Sequence, residues 1–184
     1  LASMTLFIPI GIYDALWDRY ITDRGGTNVM VGLTFLLYTI PFIVLGAAGG
    51  RLADRRGAPR MTVIGIFLTA PLVFVYGILE SAWLLVGFAI VEGVIGALSI
   101  PAAQSLMAQV APKGRAAAAQ GLSGSGDLIA GIIMSLIAPV LYGSSDNNGG
   151  VITFGFAALL MVIFGTAVAL MLRTTADSRS ATTE

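Results

Sequence analysis

The 184-residue sequence contains no cysteine and no histidine. Without cysteine there can be no disulfide, thiol nucleophile or thiolate metal site, and the redox compartment leaves no mark. Without histidine the commonest metal ligand and the commonest proton shuttle are missing. Charge is also scarce: 11% of residues are Asp, Glu, Lys or Arg, against about 25% in soluble domains. The formal net charge is zero, so no basic face suggests a nucleic acid partner. No cofactor or metal site is expected, and no residue cluster suggests an enzyme. What the chain has is apolar sequence: 57% hydrophobic residues and a mean hydropathy of +0.90. That composition belongs to an all-α, multi-pass membrane protein. Residue 1 is Leu and no basic segment precedes the first apolar stretch, so no signal peptide is expected. The start reads as cut from something longer.

A membrane helix needs about 20 mostly apolar residues. Six segments qualify, over residues 2–20, 27–49, 61–79, 82–110, 116–142 and 151–172. The first is the weakest, because it carries Asp14. Pro41, Pro71, Pro101 and Pro139 fall inside spans, which membrane helices tolerate because neighbours satisfy the freed backbone groups. Residues 1–172 thus form one six-helix transmembrane unit, and the Ser/Thr-rich segment 173–184 is predicted to be a disordered polar tail. The bilayer is the first expected partner.

Of the ten basic residues, eight fall on one side of these spans: Arg51, Arg55, Arg56 and Arg60, then Lys113 and Arg115, then Arg173 and Arg179. Only Arg19 and Arg24 fall on the other, beside Asp18 and Asp23. Basic residues near span ends favour the cytoplasm, which puts both ends of the chain there, in a plasma (inner) membrane. Trp17, Tyr20, Trp83 and Tyr142 lie near the outer boundaries and are predicted to form an interfacial belt.

Carboxylates inside spans are costly and commonly face a bundle interior or a water-filled cavity. Asp14 lies in span one, near its outer end, and reads as interfacial or as part of an outer gate. Glu92 lies in span four and Asp127 in span five. Counting 1.5 Å per residue from each span start puts them about 15 and 16 Å deep, at one level. If they shared a face they would couple electrostatically and could exchange protons or hold a cationic group. Tyr38, Gln104 and Ser123 are further candidates for lining a pathway. The run 116–126 in span five is rich in Ala, Gly and Ser, and Gly93, Gly96 and Ala97 sit in span four. Such residues first imply close helix packing. Spans three and six lack acids, and Phe154, Phe156 and Phe164 suit lipid contact. Spans one, four and five therefore read as interior, three and six as peripheral.

Between spans two and three lies Gly50-Arg51-Leu52-Ala53-Asp54-Arg55-Arg56-Gly57, followed by Ala58, Pro59 and Arg60. This segment resembles the signature loop of the major facilitator superfamily, with its Gly-x-x-x-Asp-Arg-x-Gly spacing kept and its following basic pair reduced to Arg60. That reduction, the absence of a basic residue in span four and of a Gly-Pro dipeptide in span five, and the pattern Tyr13, Trp17, Tyr20, Asp23, Gly25, Val31-Gly32-Leu33 are similar to the second half of such transporters. The resemblance implies helices seven to twelve of a twelve-helix bundle, with spans one, two, four and five bordering a central cavity. It also implies a conformational role for Gly50, Asp54, Arg55, Gly57 and Arg60, with Asp54 at a neighbouring helix end and Arg55 as its partner.

Two functions are compatible with these features. One is a secondary active, proton-coupled exporter of a small organic solute, with Glu92 and Asp127 handling protons or substrate. Its partner would be an N-terminal six-helix half, upstream in the same polypeptide or on a second chain. The other is a half-size accessory membrane subunit that pairs with another chain and does not transport alone.

Overall fold

The computed structural model describes residues 1–145 and 147–181, with side chains described through residue 174. Among the described residues there are six α-helices, in the order α1 (Ala2–Thr22), α2 (Asn28–Arg56), α3 (Ala58–Ile78), α4 (Ala82–Val110), α5 (Ala116–Gly143) and α6 (Gly149–Ala181). No strand occurs among the described residues. Helices α2 to α6 are long and apolar enough to cross a membrane. Helix α1 has 21 residues but carries Asp14, Asp18 and Arg19.

Breakers set the connections. After α1, Gly25 takes a φ of +76°, and the Gly26 N–H returns to the Ile21 carbonyl at 2.9 Å, closing the helix end as a glycine cap does. Pro112 and Gly114 separate α4 from α5. The segment 50–60 is not a loop. Helix α2 runs on to Arg56, and Gly57 alone makes the corner, at φ +89°. A Cβ is unfavourable at that dihedral, which accounts for glycine there. Pro59 sits in the first turn of α3, where its missing N–H is harmless. The predicted tail is likewise helical as far as Ala181, because no Gly or Pro follows Gly165; residues 182–184 lie outside the described residues.

The main packing pairs are α2 with α4, α1 with α5, and α3 with both α6 and α4. The small residues of α4 do pack: Gly93 lies against the Tyr38 carbonyl, Gly96 faces Phe42, and Ala97 is fully buried. The run 116–126 behaves differently and is mostly exposed, with Gly126 against Met4. Helix α1 is joined to α5 along its length. Ser3 Oγ donates to Asp127 Oδ2 at 2.7 Å, Ser135 Oγ to the Gly11 carbonyl at 3.1 Å, and Tyr142 Oη to Asp23 Oδ2 at 2.7 Å. An aromatic core knits four helices: Tyr13, Trp17 and Tyr20 of α1, Tyr76 of α3, Phe88 of α4 and Phe154 of α6. Trp17 and Tyr20 are therefore core residues, not a belt, and Phe154 is fully buried, not lipid-facing. Burial of ring surface outweighs interfacial placement for these side chains; the Tyr20 Oη finds a partner inside, donating to the Tyr76 carbonyl at 2.6 Å. Trp83 remains 68% exposed, as a belt requires.

Candidate functional site

Between α1, α2, α3 and α4 lies a cavity of about 190 Å³. Glu92 lies on its wall and is only 6% exposed. Ten residues into α4, it turns to Tyr13 of α1, while its neighbour Gly93 packs on α2. Tyr13 Oη donates to Glu92 Oε1 at 2.8 Å, and the Tyr76 hydroxyl also bears on the carboxylate. A carboxylate in so dry a place is tolerable only with such donors. Tyr13 and Tyr76 are themselves edge to face at 5.9 Å, and Trp17 stands edge to face with both, at 5.0 and 5.2 Å. The Trp17 indole Nε1 is buried without a hydrogen-bond partner. Tyr38 and Phe35 of α2 supply the facing wall, with Thr34 and Thr69 as small polar groups.

The candidate residues divide among several places. Glu92, Asp14 and Tyr38 share the cavity, with Asp14 on an exposed position of α1. Asp127 does not join them. It binds Ser3, ten residues before Tyr13 on α1, so the two acids engage α1 about 15 Å apart along its axis. They share neither a level nor a cavity, and the expected coupling between them is not formed. Asp127 is buried, and its Oδ1 has no partner. Ser123 lines a separate groove with Met4, Met107 and Gly126. The Gln104 carbonyl accepts from Gln120 Nε2 at 3.1 Å, in an exposed position. Helix α5 contributes nothing to the cavity lining, whereas α3, expected to be peripheral, contributes Thr69 and Tyr76.

In the signature segment, Gly50 lies within α2, Asp54 and Arg55 are exposed in its last turns, Gly57 is the corner and Arg60 is exposed on α3. Among the described residues Asp54 makes no ion pair, and the Asp54–Arg55 pairing is not formed. Adjacent residues on a helix point apart. The partners Tyr13, Thr34, Thr69, Tyr76 and the inward-facing Trp17 escaped the sequence reading. An aromatic every few residues of α1 was the one signal for two of them, Tyr13 and Trp17.

Comparison with known proteins bears on this arrangement. The family model described as Major Facilitator Superfamily matches residues 1–184. The chain is similar to the Multidrug resistance protein MdtH of Shigella dysenteriae, with 33% identity over 53% of this chain and 24% of that protein. It is similar also to the Probable actinorhodin transporter of Streptomyces coelicolor, with 29% identity over 65% of this chain and 21% of that one. The Quinolone resistance protein NorA of Staphylococcus aureus aligns at 24% identity over 58% of this chain and 28% of its own length. Each alignment thus spans between a fifth and under a third of the relative's length. The matches place the chain among multi-pass membrane proteins. With the whole of it matched by the family model, this chain belongs to the Major Facilitator Superfamily.

Proposed function

We propose that this chain is the C-terminal six-helix half of a secondary active transporter that exports a small organic solute by alternating access, coupled to protons. The observation that carries the proposal is Glu92, a buried carboxylate held by tyrosine on the wall of an aromatic cavity. An ionisable group at such depth in a membrane protein is a functional candidate by default. The relatives' names, a multidrug resistance protein, a quinolone resistance protein and a probable actinorhodin transporter, support efflux.

A second half completes the site in this reading. A cavity of about 190 Å³ falls below the ~300 Å³ at which ligand pockets begin, as one wall of a shared site would. Helix α5 buries only Asp127, Met134 and Ala138, and α2 only five residues, so both offer broad free faces to the covering half, whether upstream in the same polypeptide or on another chain. Asp54 and Arg55 reach out from α2 towards that half, with Gly50, Gly57 and Arg60 shaping the corner that steadies one state of the cycle. Helix α1 is the sixth span, and both ends face the cytoplasm of an inner membrane. Solute binds near the midplane and rocking of the halves alternates its access. Asp127, apart from the cavity, is the second candidate for handling protons.

The test uses the full-length transporter in proteoliposomes. Glu92→Gln and Asp127→Asn are compared with wild type for uptake driven by an imposed pH gradient. Glu92→Gln is expected to abolish driven uptake while facilitated exchange of solute persists. Unchanged driven uptake in both variants would remove the proton role.

A further inference from the structure

A second hollow lies apart from the ring-lined cavity. It is a groove of about 460 Å³ between the start of α1, the end of α4 and the first half of α5. Met4, Met107, Val110, Leu122 and Ile129 supply much of its wall, and no charged residue lines it. Val110 and Leu122 are 56% and 78% exposed, so apolar surface stands uncovered there. On α5 the wall runs from Ala119 to Ile129, ten residues or ~15 Å. That equals the hydrocarbon depth of one leaflet in a core of ~30 Å. The groove therefore has the length and polarity of an acyl chain.

Its mouth carries the opposite chemistry. Ala111 and Pro112 line it, and the linker continues as Lys113, Gly114 and Arg115, all exposed. Gly114 turns at φ +77°, and the Arg115 N–H returns to the Pro112 carbonyl at 3.0 Å. One tight turn thus holds both cations at the head of α5. Among the described residues the one ion pair is Arg19–Asp23, so neither cation has an acid partner. The free N–H groups in the first turn of α5 add positive potential. Asp127, on the same helix, is buried against Ser3 and is not part of the wall. Basic pockets between membrane helices on the cytoplasmic side take anionic headgroups. We propose that the groove is a binding site for an anionic phospholipid of the leaflet at this end of the bundle. One acyl chain lies along α5, and the phosphate sits on Lys113 and Arg115. In the orientation proposed for the chain this is the cytoplasmic leaflet. Leu128 and Ile132, exposed on another side of α5, remain for the covering half.

The experiment puts a reporter in the groove. Leu122→Trp is made in the full-length transporter, which is reconstituted in phosphatidylcholine nanodiscs. The discs carry a minor fraction of brominated phosphatidylglycerol or of brominated phosphatidylcholine. Bromine quenches only indole close to it, and the emission of the transporter without the substitution is subtracted. The quenching should report an affinity for phosphatidylglycerol about thirtyfold that for phosphatidylcholine, about fivefold for each basic residue. Lys113→Gln with Arg115→Gln should bring that ratio to about one. Quenching in discs made wholly of brominated phosphatidylcholine should persist in the same variant, which shows the groove intact and open to lipid. A ratio near one with the linker unchanged, or a preference that survives the double substitution, would overturn the site. So would an absence of quenching by either lipid, the result if the covering half or the exported solute fills the groove. The readout contains no transport step, so a failed efflux reading leaves it standing, and its own failure leaves that reading untouched.

Discussion

Gly93 is where the packing of α4 on α2 and the geometry of the cavity are one problem, so its replacement tests both. A methyl group at Gly93 would overlap the Tyr38 carbonyl and come within 3.1 Å of Pro41 Cγ. Neither atom can turn aside, since one is main chain and the other a ring locked in the helix. Helix α4 must therefore back away, at an over-packing cost towards the upper end of ~1–3 kcal/mol. Alanine's better helix propensity returns ~1 kcal/mol, so Gly93→Ala should cost about 2 kcal/mol net. At ~2–4 °C per kcal/mol for a domain of this size, the apparent melting temperature should fall by roughly 4–8 °C. Gly96 is the internal control. A methyl there meets Phe42 Cζ at 2.9 Å and Tyr38 Oη at 3.1 Å, both tips of side chains that can rotate. Over-packing at Gly96 is then within ~1 kcal/mol, and propensity cancels it. Thermal unfolding of the full-length protein in detergent, followed by tryptophan emission, measures the two variants side by side. Because α4 also carries Glu92, its retreat in Gly93→Ala should weaken pH-driven uptake as well. An unchanged melting temperature for Gly93→Ala, or a larger fall for Gly96→Ala, would refute the reasoning.

Two further outcomes follow from the same structure. Ser3→Ala removes the one donor to Asp127 Oδ2 while Oδ1 already lacks a partner, so it should destabilise by ~1–3 kcal/mol. The same change in an Asp127→Leu background should cost under ~1 kcal/mol, and a double-mutant cycle on thermal unfolding that returns no coupling between the two positions would show that the bond contributes nothing. Single cysteines placed by Glu80→Cys, Asn147→Cys, Arg60→Cys and Lys113→Cys occupy exposed positions at opposite ends of the bundle. In an otherwise cysteine-free transporter, a membrane-impermeant maleimide should label the first two in intact cells and the last two only after permeabilisation; the reverse pattern would invert the topology.

The helices were legible because a bilayer demands long apolar runs and this sequence supplies them between breakers. The predicted starts of spans four and five coincide with those of α4 and α5, and Pro112 and Gly114 fix the break before α5. Where the reading went wrong, charge was taken for loop. Leu52-Ala53-Asp54-Arg55-Arg56 is good helix-forming sequence once it leaves the membrane, and α2 continues through it until Gly57. Helix α6 likewise runs on past Leu172. Hydropathy locates the hydrocarbon core, not the helix end; the two differ wherever a helix projects into water.

The site was legible only in part, because a depth count fixes height along a helix and says nothing of rotation about its axis. Glu92 stood out as a lone acid in an apolar run. Its partners could not, since Tyr13 is 79 residues away in sequence and Tyr76 lies on a helix with no acid of its own. In a helix apolar on all sides, periodicity gives no phase: α3 presents Tyr76 to the cavity and Ile64, Phe67 and Leu68 outward with nearly the same hydropathy on each face. Asp127 shows the same failure with the opposite outcome. Counted from its own span it matched Glu92 in depth, yet α5 turns it towards Ser3 at the first turn of α1, away from the ring-lined cavity. What separates the two acids is which neighbour each helix packs on, and that is decided by close contacts such as Gly93 on Tyr38 and Ser135 on Gly11. Small residues that looked like generic packing signals are therefore what direct one acid into the cavity and leave the other outside it.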